Sequence, residues 1–175
     1  MSGPVAAHVL EDPFGFARAG GQHGGQLAIS TMSRLQDQLA GDAGSVSYTV
    51  RGGCDQRERP QLELEIAGRL RLPCARCGMP LDYELVLRSR VLMAQPGAAP
   101  QDDDDPESPE WIEAGQELDL QELVEDEILL GLPLSVRHDR ESCSSGKPDG
   151  RDDKSADSPF ARLASLLEPE RKDKR

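Results

Sequence analysis

The sequence predicts an α+β fold: a small antiparallel sheet or barrel-like core with short flanking helices. Three observations carry that expectation. Two runs of alternating apolar and polar residues flank a compact knuckle between Pro73 and Pro80, the period of paired strands that each bury one face. A later stretch, Leu120, Leu123, Val124, Ile128 and Leu130, is spaced mostly at helical intervals. The rest is rich in breakers. Among 175 residues there are 17 Gly and 13 Pro but only 3% aromatics, so much of the length is expected as loop around one modest core.

Residues 1–25 are Gly-rich and without a period, apart from Phe14 and Phe16, which can dock on a strand. His8 and His23 lie there and are expected in solvent. Ser30-Thr31 precedes Met32, Leu35 and Leu39, the spacing of a short amphipathic helix with a hydroxyl cap. Val46, Tyr48 and Val50 alternate with polar residues as a strand expected to end at Gly52-Gly53.

The knuckle hairpin comes next. Apolar residues fall on even numbers from Leu62 to Leu72, then on odd numbers from Leu81 to Met93. Pairing residues whose numbers sum to 153 sets Arg71 opposite Asp82, Arg69 opposite Glu84, Glu65 opposite Arg88 and Glu63 opposite Arg90. Opposite charges across one face specify that register. The same arginines, with Arg76 at the tip, also resemble an RNA-reading stripe, so Arg69, Arg71, Arg76, Arg88 and Arg90 form the RNA-binding alternative.

Residues 95–110 are Pro- and Asp-rich and are expected to be a disordered loop. Trp111-Ile112 restarts order as a short strand. Asp119 with Glu122 opens the Leu-rich helix in the manner of a capping box, and Gly131 and Pro133 close it. Residues 144–157 are again low in apolar content. Ser158-Pro159-Phe160 caps a last short helix carrying Phe160, Leu163 and Leu166, and residues 168–175 are a frayed tail. The whole, 1–175, is expected as a single domain.

Charge is distributed unevenly. The net charge is −12, yet residues 1–100 hold ten Arg and ten acids, so the excess lies in residues 101–175. Between Asp102 and Glu127 there are 13 acids and no Lys or Arg. Such a field repels phosphate and attracts basic proteins, which disfavours RNA binding driven by net charge. Asp102, Asp103, Asp104, Asp105, Glu125, Asp126 and Glu127 are the candidate partner-binding residues. Solvation of a loop is the plain alternative. No apolar stretch approaches the roughly 18–20 residues of a membrane span, and no leader pattern opens the chain, so a cytoplasmic location without a membrane is expected.

One constellation carries chemistry. Cys74 and Cys77 have the two-residue spacing that lets both thiolates reach one zinc at about 2.3 Å. His138 and Cys143 are the remaining donors that match. The gap of 61 residues from Cys77 to His138 leaves closure to the tertiary fold. A structural zinc, free thiols and a redox pair all stay open, although a redox CxxC belongs at a helix N-terminus rather than in a hairpin. Cys54 has no neighbour of ligand type. Glu125, Asp126 and Glu127 point in different directions from a helix and make no shared catalytic site. No phosphate loop, nucleophile elbow or zinc-protease motif is present, and no enzyme is expected.

Four blocks together resemble a known family. They are LRLPCARC at 70–77, LVEDEILLGLP at 123–133, His138 with Cys143, and SPFARL at 158–163. In this order, with an acidic insert between the first two, they resemble the YceD family, the large ribosomal RNA subunit accumulation proteins, from about Phe14 to Leu166. This chain departs from the family pattern at Ala75, where Gln is frequent, and at Gly78, where Leu is frequent. The resemblance implies a cytoplasmic bacterial factor needed for accumulation of 23S ribosomal RNA. The expected function is therefore non-enzymatic support of large-subunit biogenesis, through a ribosomal protein or rRNA-processing factor docked on the acidic surface. Direct RNA binding by the hairpin arginines, or a thiol- or zinc-dependent oxidoreductase, are the rival readings.

Overall fold

The computed structural model describes residues 8–98, 110–139 and 143, all of them in one compact unit, Met1–Ser144. The Asp102–Asp105 run, the 144–157 segment, the helix expected from Ser158 and the 168–175 tail lie outside the described residues. The elements are β1 (Val9–Leu10), α1 (Pro13–Arg18), β2 (Gln22–Ala28), a 3-10 turn (Ile29–Thr31), α2 (Ser33–Gln36), β3 (Ser45–Cys54), β4 (Pro60–Pro73), β5 (Pro80–Ala94), β6 (Glu110–Glu113), β7 (Leu118–Asp119) and α3 (Leu120–Gly131).

Five strands form one sheet in the order β2-β3-β4-β5-β6, and β1 pairs separately with β7. The β2–β3, β3–β4 and β4–β5 pairings are antiparallel, while β5–β6 is parallel. The fold is thus α+β, as the alternation and the Leu-rich helix predict. The sheet is open and mixed, not closed into a barrel.

β4 and β5 pair in the register that the charges specify. Arg71 faces Asp82, Arg69 faces Glu84, Glu65 faces Arg88 and Glu63 faces Arg90. Ion pairs form between Arg71 and Asp82 at 3.8 Å, Arg88 and Glu65 at 3.6 Å, and Arg90 and Glu63 at 3.3 Å. Arg51 on β3 joins Glu65 at 3.4 Å. All are exposed, so each contributes no more than about 1 kcal/mol. Their effect is on register, because a slip of one residue would turn Leu62, Leu64, Ile66, Leu70 and Leu72 out of the core that they occupy.

Several expectations are corrected. The N-terminal stretch is structured: Asp12 accepts from the Gly15 N–H at 2.8 Å and Pro13 opens α1, the N-cap and first-position proline that favour helix entry. His8 and His23 do not stand in solvent. His8 Nδ1 lies 2.8 Å from the Tyr48 hydroxyl, and the His23 ring centroid is 6.1 Å from that of Tyr48. The helix expected after Ser30-Thr31 is a single turn, and no side chain caps it. The Thr31 hydroxyl instead donates to the Ala28 carbonyl, which closes the 3-10 turn. Met32 and Leu35 are fully buried all the same.

β3 also continues through Gly52-Gly53 to Cys54, and the reason is steric. A Cβ on Gly52 would stand 2.6 Å from the Phe16 carbonyl oxygen and 2.7 Å from the Ala17 Cα. Gly52 therefore admits α1 onto the sheet rather than ending the strand, and its N–H donates to the Gly21 carbonyl at 2.8 Å.

α3 is fixed at both ends and in its middle. The Asp119 carboxylate accepts from the Gln121 and Glu122 N–H groups at 2.7 and 3.3 Å. Buried Glu125 accepts from the Leu35 N–H at 2.9 Å and from Arg34, tying α2 to α3. Gly131 lies against Leu87 of β5, and a Cβ there would come within 2.3 Å of that side chain. The last turn of α3 is thereby pressed onto the sheet.

Gly52→Ala is expected to lower stability in urea denaturation by about 1–3 kcal/mol, the usual cost of overpacking against backbone. Gly53→Ala, whose new methyl would meet only Gln61 at 3.7 Å, should change it by less than about 0.5 kcal/mol. Equal effects at the two positions would refute the close-approach account.

Candidate metal centre

The tip of the β4–β5 hairpin is built by backbone hydrogen bonds. The Cys74 N–H donates to the Met79 carbonyl at 2.9 Å, and the Gly78 N–H to the Cys74 carbonyl at 2.8 Å. Gly78 takes φ +72, a left-handed conformation that glycine adopts without strain. The turn carries Cys74 and Cys77 on its inner side and leaves the Arg76 side chain exposed at the tip.

The other two donors arrive from far along the chain. After Gly131 ends α3, the segment from Leu132 runs back to the knuckle and bridges it in parallel, Cys74 beside Val136. The Ala75 N–H donates to the Val136 carbonyl at 2.8 Å. His138 comes two residues later. The Cys143 N–H donates to the Asp139 carbonyl at 2.9 Å, which turns its side chain inward.

Cys74, Cys77, His138 and Cys143 thus converge, with one donor atom from each and all four within 4.8 Å of one another. Cys74 Sγ and Cys143 Sγ are 4.0 Å apart, and Cys77 Sγ lies 3.5 Å from His138 Nδ1. A tetrahedral zinc with ordinary Zn–S and Zn–N bonds separates its donors by about 3.6–3.8 Å. The sulfurs are far too distant for a disulfide, and the cysteines are free. His138 Nε2 is 3.1 Å from the Pro80 carbonyl oxygen; donating there holds the proton on Nε2 and turns the Nδ1 lone pair toward the sulfurs. Such outer hydrogen bonds orient metal-ligating histidines.

The electrostatics suit a cation. The backbone N–H of His138, with those of Arg76 and Cys77 and the Cys77 side chain, outweighs desolvation and lowers the Cys74 thiol from 9.0 to about 5. The Arg76 N–H lies 3.5 Å from the Cys74 sulfur. Burial, then the neighbouring Cys77 and Cys74 sulfurs, pushes the Cys143 thiol up. Binding a divalent metal would offset that repulsion and release the Cys143 proton. The donor set fits zinc. Three thiolates and one imidazole fill all four tetrahedral positions, which is the closed form of a structural site; a catalytic zinc keeps one position for water. Cys74 is only 2% exposed and Cys143 only 7%. The adjoining surface cavity, about 520 Å³, is lined mainly by Leu72, Pro73, Leu129, Leu132, Pro133 and Val136, with Cys74 in its wall and no carboxylate, imidazole or ammonium group.

The other candidate residues are spread out. Arg69, Arg71, Arg88 and Arg90 share the solvent face of the hairpin opposite acids. Glu125 and Glu127 are buried, and half-exposed Asp126 pairs with Arg34. Cys54 stands exposed at the end of β3, apart from the cluster. Among the described residues no helix is long and apolar enough to cross a membrane. Sequence reasoning missed the Glu125 anchor, because nothing local sets it apart within the run Glu125-Asp126-Glu127.

Fold and site define a class: a small open-sheet α+β domain whose central hairpin ends in a closed Cys3His cluster. The chain belongs to the family described as Large ribosomal RNA subunit accumulation protein YceD, which it matches over residues 62–167. That span includes all four donors. One similar protein is the Large ribosomal RNA subunit accumulation protein YceD of Haemophilus influenzae, 28% identical over 134 residues, 75% of this chain and 76% of that protein. No solved structure matches the chain.

The depressed Cys74 value means that its thiolate stabilises the metal-free fold fully above the ordinary 9.0, and that this contribution is lost as pH falls through about 5. Raised Cys143 acts in the opposite sense, favouring the fold at low pH. In chelator-treated protein, thiolate absorbance should show a step near pH 5 that Cys74→Ser removes and Cys54→Ser keeps. A titration with no step until the ordinary thiol range would refute the assignment.

Proposed function

We propose that the chain is a non-enzymatic factor in biogenesis of the large ribosomal subunit, supporting accumulation of 23S rRNA in the cytoplasm through a basic protein partner. Membership of the family over residues 62–167 is the observation that carries this reading. The partner is a ribosomal protein or rRNA-processing factor. It docks on the acidic stretch from Asp102 to Glu127, through Asp102–Asp105 together with the accessible acids of α3, Glu122 and Asp126; Glu125 and Glu127 support this surface from the interior.

Two physical points support a protein rather than RNA as the direct contact. Net charge of −12 repels a phosphate backbone at long range. Arg71, Arg88 and Arg90 already have acidic neighbours across the hairpin, so phosphate would have to displace them. Arg76 at the tip favours the second reading, direct contact with RNA.

A structural zinc on Cys74, Cys77, His138 and Cys143 is part of the proposal. It would supply a cross-link between the hairpin tip and the segment after α3, and no bond-making step. The protein's own residues do the rest: Pro80 orients the imidazole, and the Ala75–Val136 hydrogen bond aligns the two ligand-bearing segments.

Purified protein should hold about one zinc per chain, and Cys143→Ser should lose it with a lowered melting temperature; metal-free protein with unchanged stability would sink the structural zinc. Cells lacking the protein should accumulate less 23S than 16S rRNA. Native pull-downs should recover a basic protein that changing Asp102–Asp105 to Asn releases. Recovery of RNA alone, insensitive to those changes and abolished by Arg76→Ala, would instead establish direct RNA binding.

A further inference from the structure

β4 covers one edge of β5 from Pro80 to Leu92. Among the described residues the other edge is covered only from Val91 onward, by β6. From Leu81 to Arg90 it has no strand beside it among the described residues. An open edge of that length presents unpaired N–H and C=O groups to any strand that fits.

The side chains along that edge specify what fits. Asp82, Glu84, Val86, Arg88 and Arg90 are all exposed on one face, and Val86 is 69% exposed. Their order is acid, acid, valine, base, base, so the charge changes sign about Val86. Reversing the strand turns the pattern into its own complement. We infer that β5 pairs antiparallel with β5 of a second copy of this chain, about a two-fold axis at Val86, joining two five-stranded sheets into one.

In that arrangement Glu84 faces Arg88 of the partner subunit, Asp82 faces Arg90 of the partner subunit, and the two valines meet on the axis. Shifting the register by two residues leaves only one kind of opposite-charge pair. A parallel in-register pairing sets like charges side by side, which is unfavourable. The charges inside each subunit extend the pattern. Arg51, Glu65 and Arg88 already alternate across β3, β4 and β5, and Glu84 of the partner subunit continues that alternation. On the core side, Leu85 meets Leu87 of the partner subunit. The span from Asp82 to Arg90 also ends where β6 begins at Val91, so the pairing uses the available edge. An isologous two-fold contact is the commonest way identical chains associate, and strand addition supplies its main-chain hydrogen bonds.

Sedimentation of the full chain at about 100 μM, where micromolar contacts populate, should show a dimer. Val86→Lys sets two new cations on the axis and should weaken association about tenfold or more, with an unchanged circular dichroism spectrum. Glu84→Lys and Arg88→Glu should each sediment as monomers, because each doubles a like-charge contact across the axis. An equimolar mixture of these two variants restores both charge pairs and should recover the dimer. A monomeric wild type at that concentration would overturn the inference. So would a dimer indifferent to Val86→Lys, or a mixture that stays monomeric.

Discussion

Pairing of β4 with β5 is the constraint that organises the whole molecule. It buries the Leu and Ile side chains of β4 on one face and aligns opposite charges on the other. By holding Pro73 opposite Pro80 it also closes the knuckle that carries Cys74 and Cys77. The hydrophobic face supplies the stabilisation, since burying each large aliphatic side chain is worth about 1.5–3 kcal/mol. The exposed ion pairs are individually weak and act mainly by excluding wrong registers.

A second constraint delivers the other half of the Cys3His cluster. The sequence separation of 61 between Cys77 and His138 is bridged only because α3 is pinned to the sheet. Asp119 starts it, Glu125 ties it to α2, and Gly131 lets its last turn reach Leu87. The chain then leaves α3 pointed at the knuckle, and the Val136 bridge brings His138 to Cys77. A metal at that junction would hold together elements that are distant in sequence and would leave the hairpin's solvent face untouched.

On the proposed reading, function lies in surfaces rather than in a reacting centre. The four-donor cluster leaves no open ligand position, and its two inner thiols are buried. On that reading, the acidic stretch and the β5 edge are the parts that meet other molecules. The two are electrostatically distinct: one carries a single sign of charge suited to a basic partner, and the other a sign-alternating pattern suited to itself.

The hairpin, its register, the short Trp111 strand and the Asp119 cap were legible in the residues, because strand period, charge pairing and capping act over a few positions, and the four Cys and His side chains singled out there are the ones that converge. Only the tertiary structure settled the rest. Gly52 reads locally as a strand end, yet it is the point where α1 lies on β3. Glu125 reads as a surface acid, yet it accepts from the Leu35 N–H. His8 and His23 read as solvated, yet both gather around Tyr48. In each case the deciding contact joins residues remote in sequence, and side-chain chemistry alone does not say which backbone will arrive beside it.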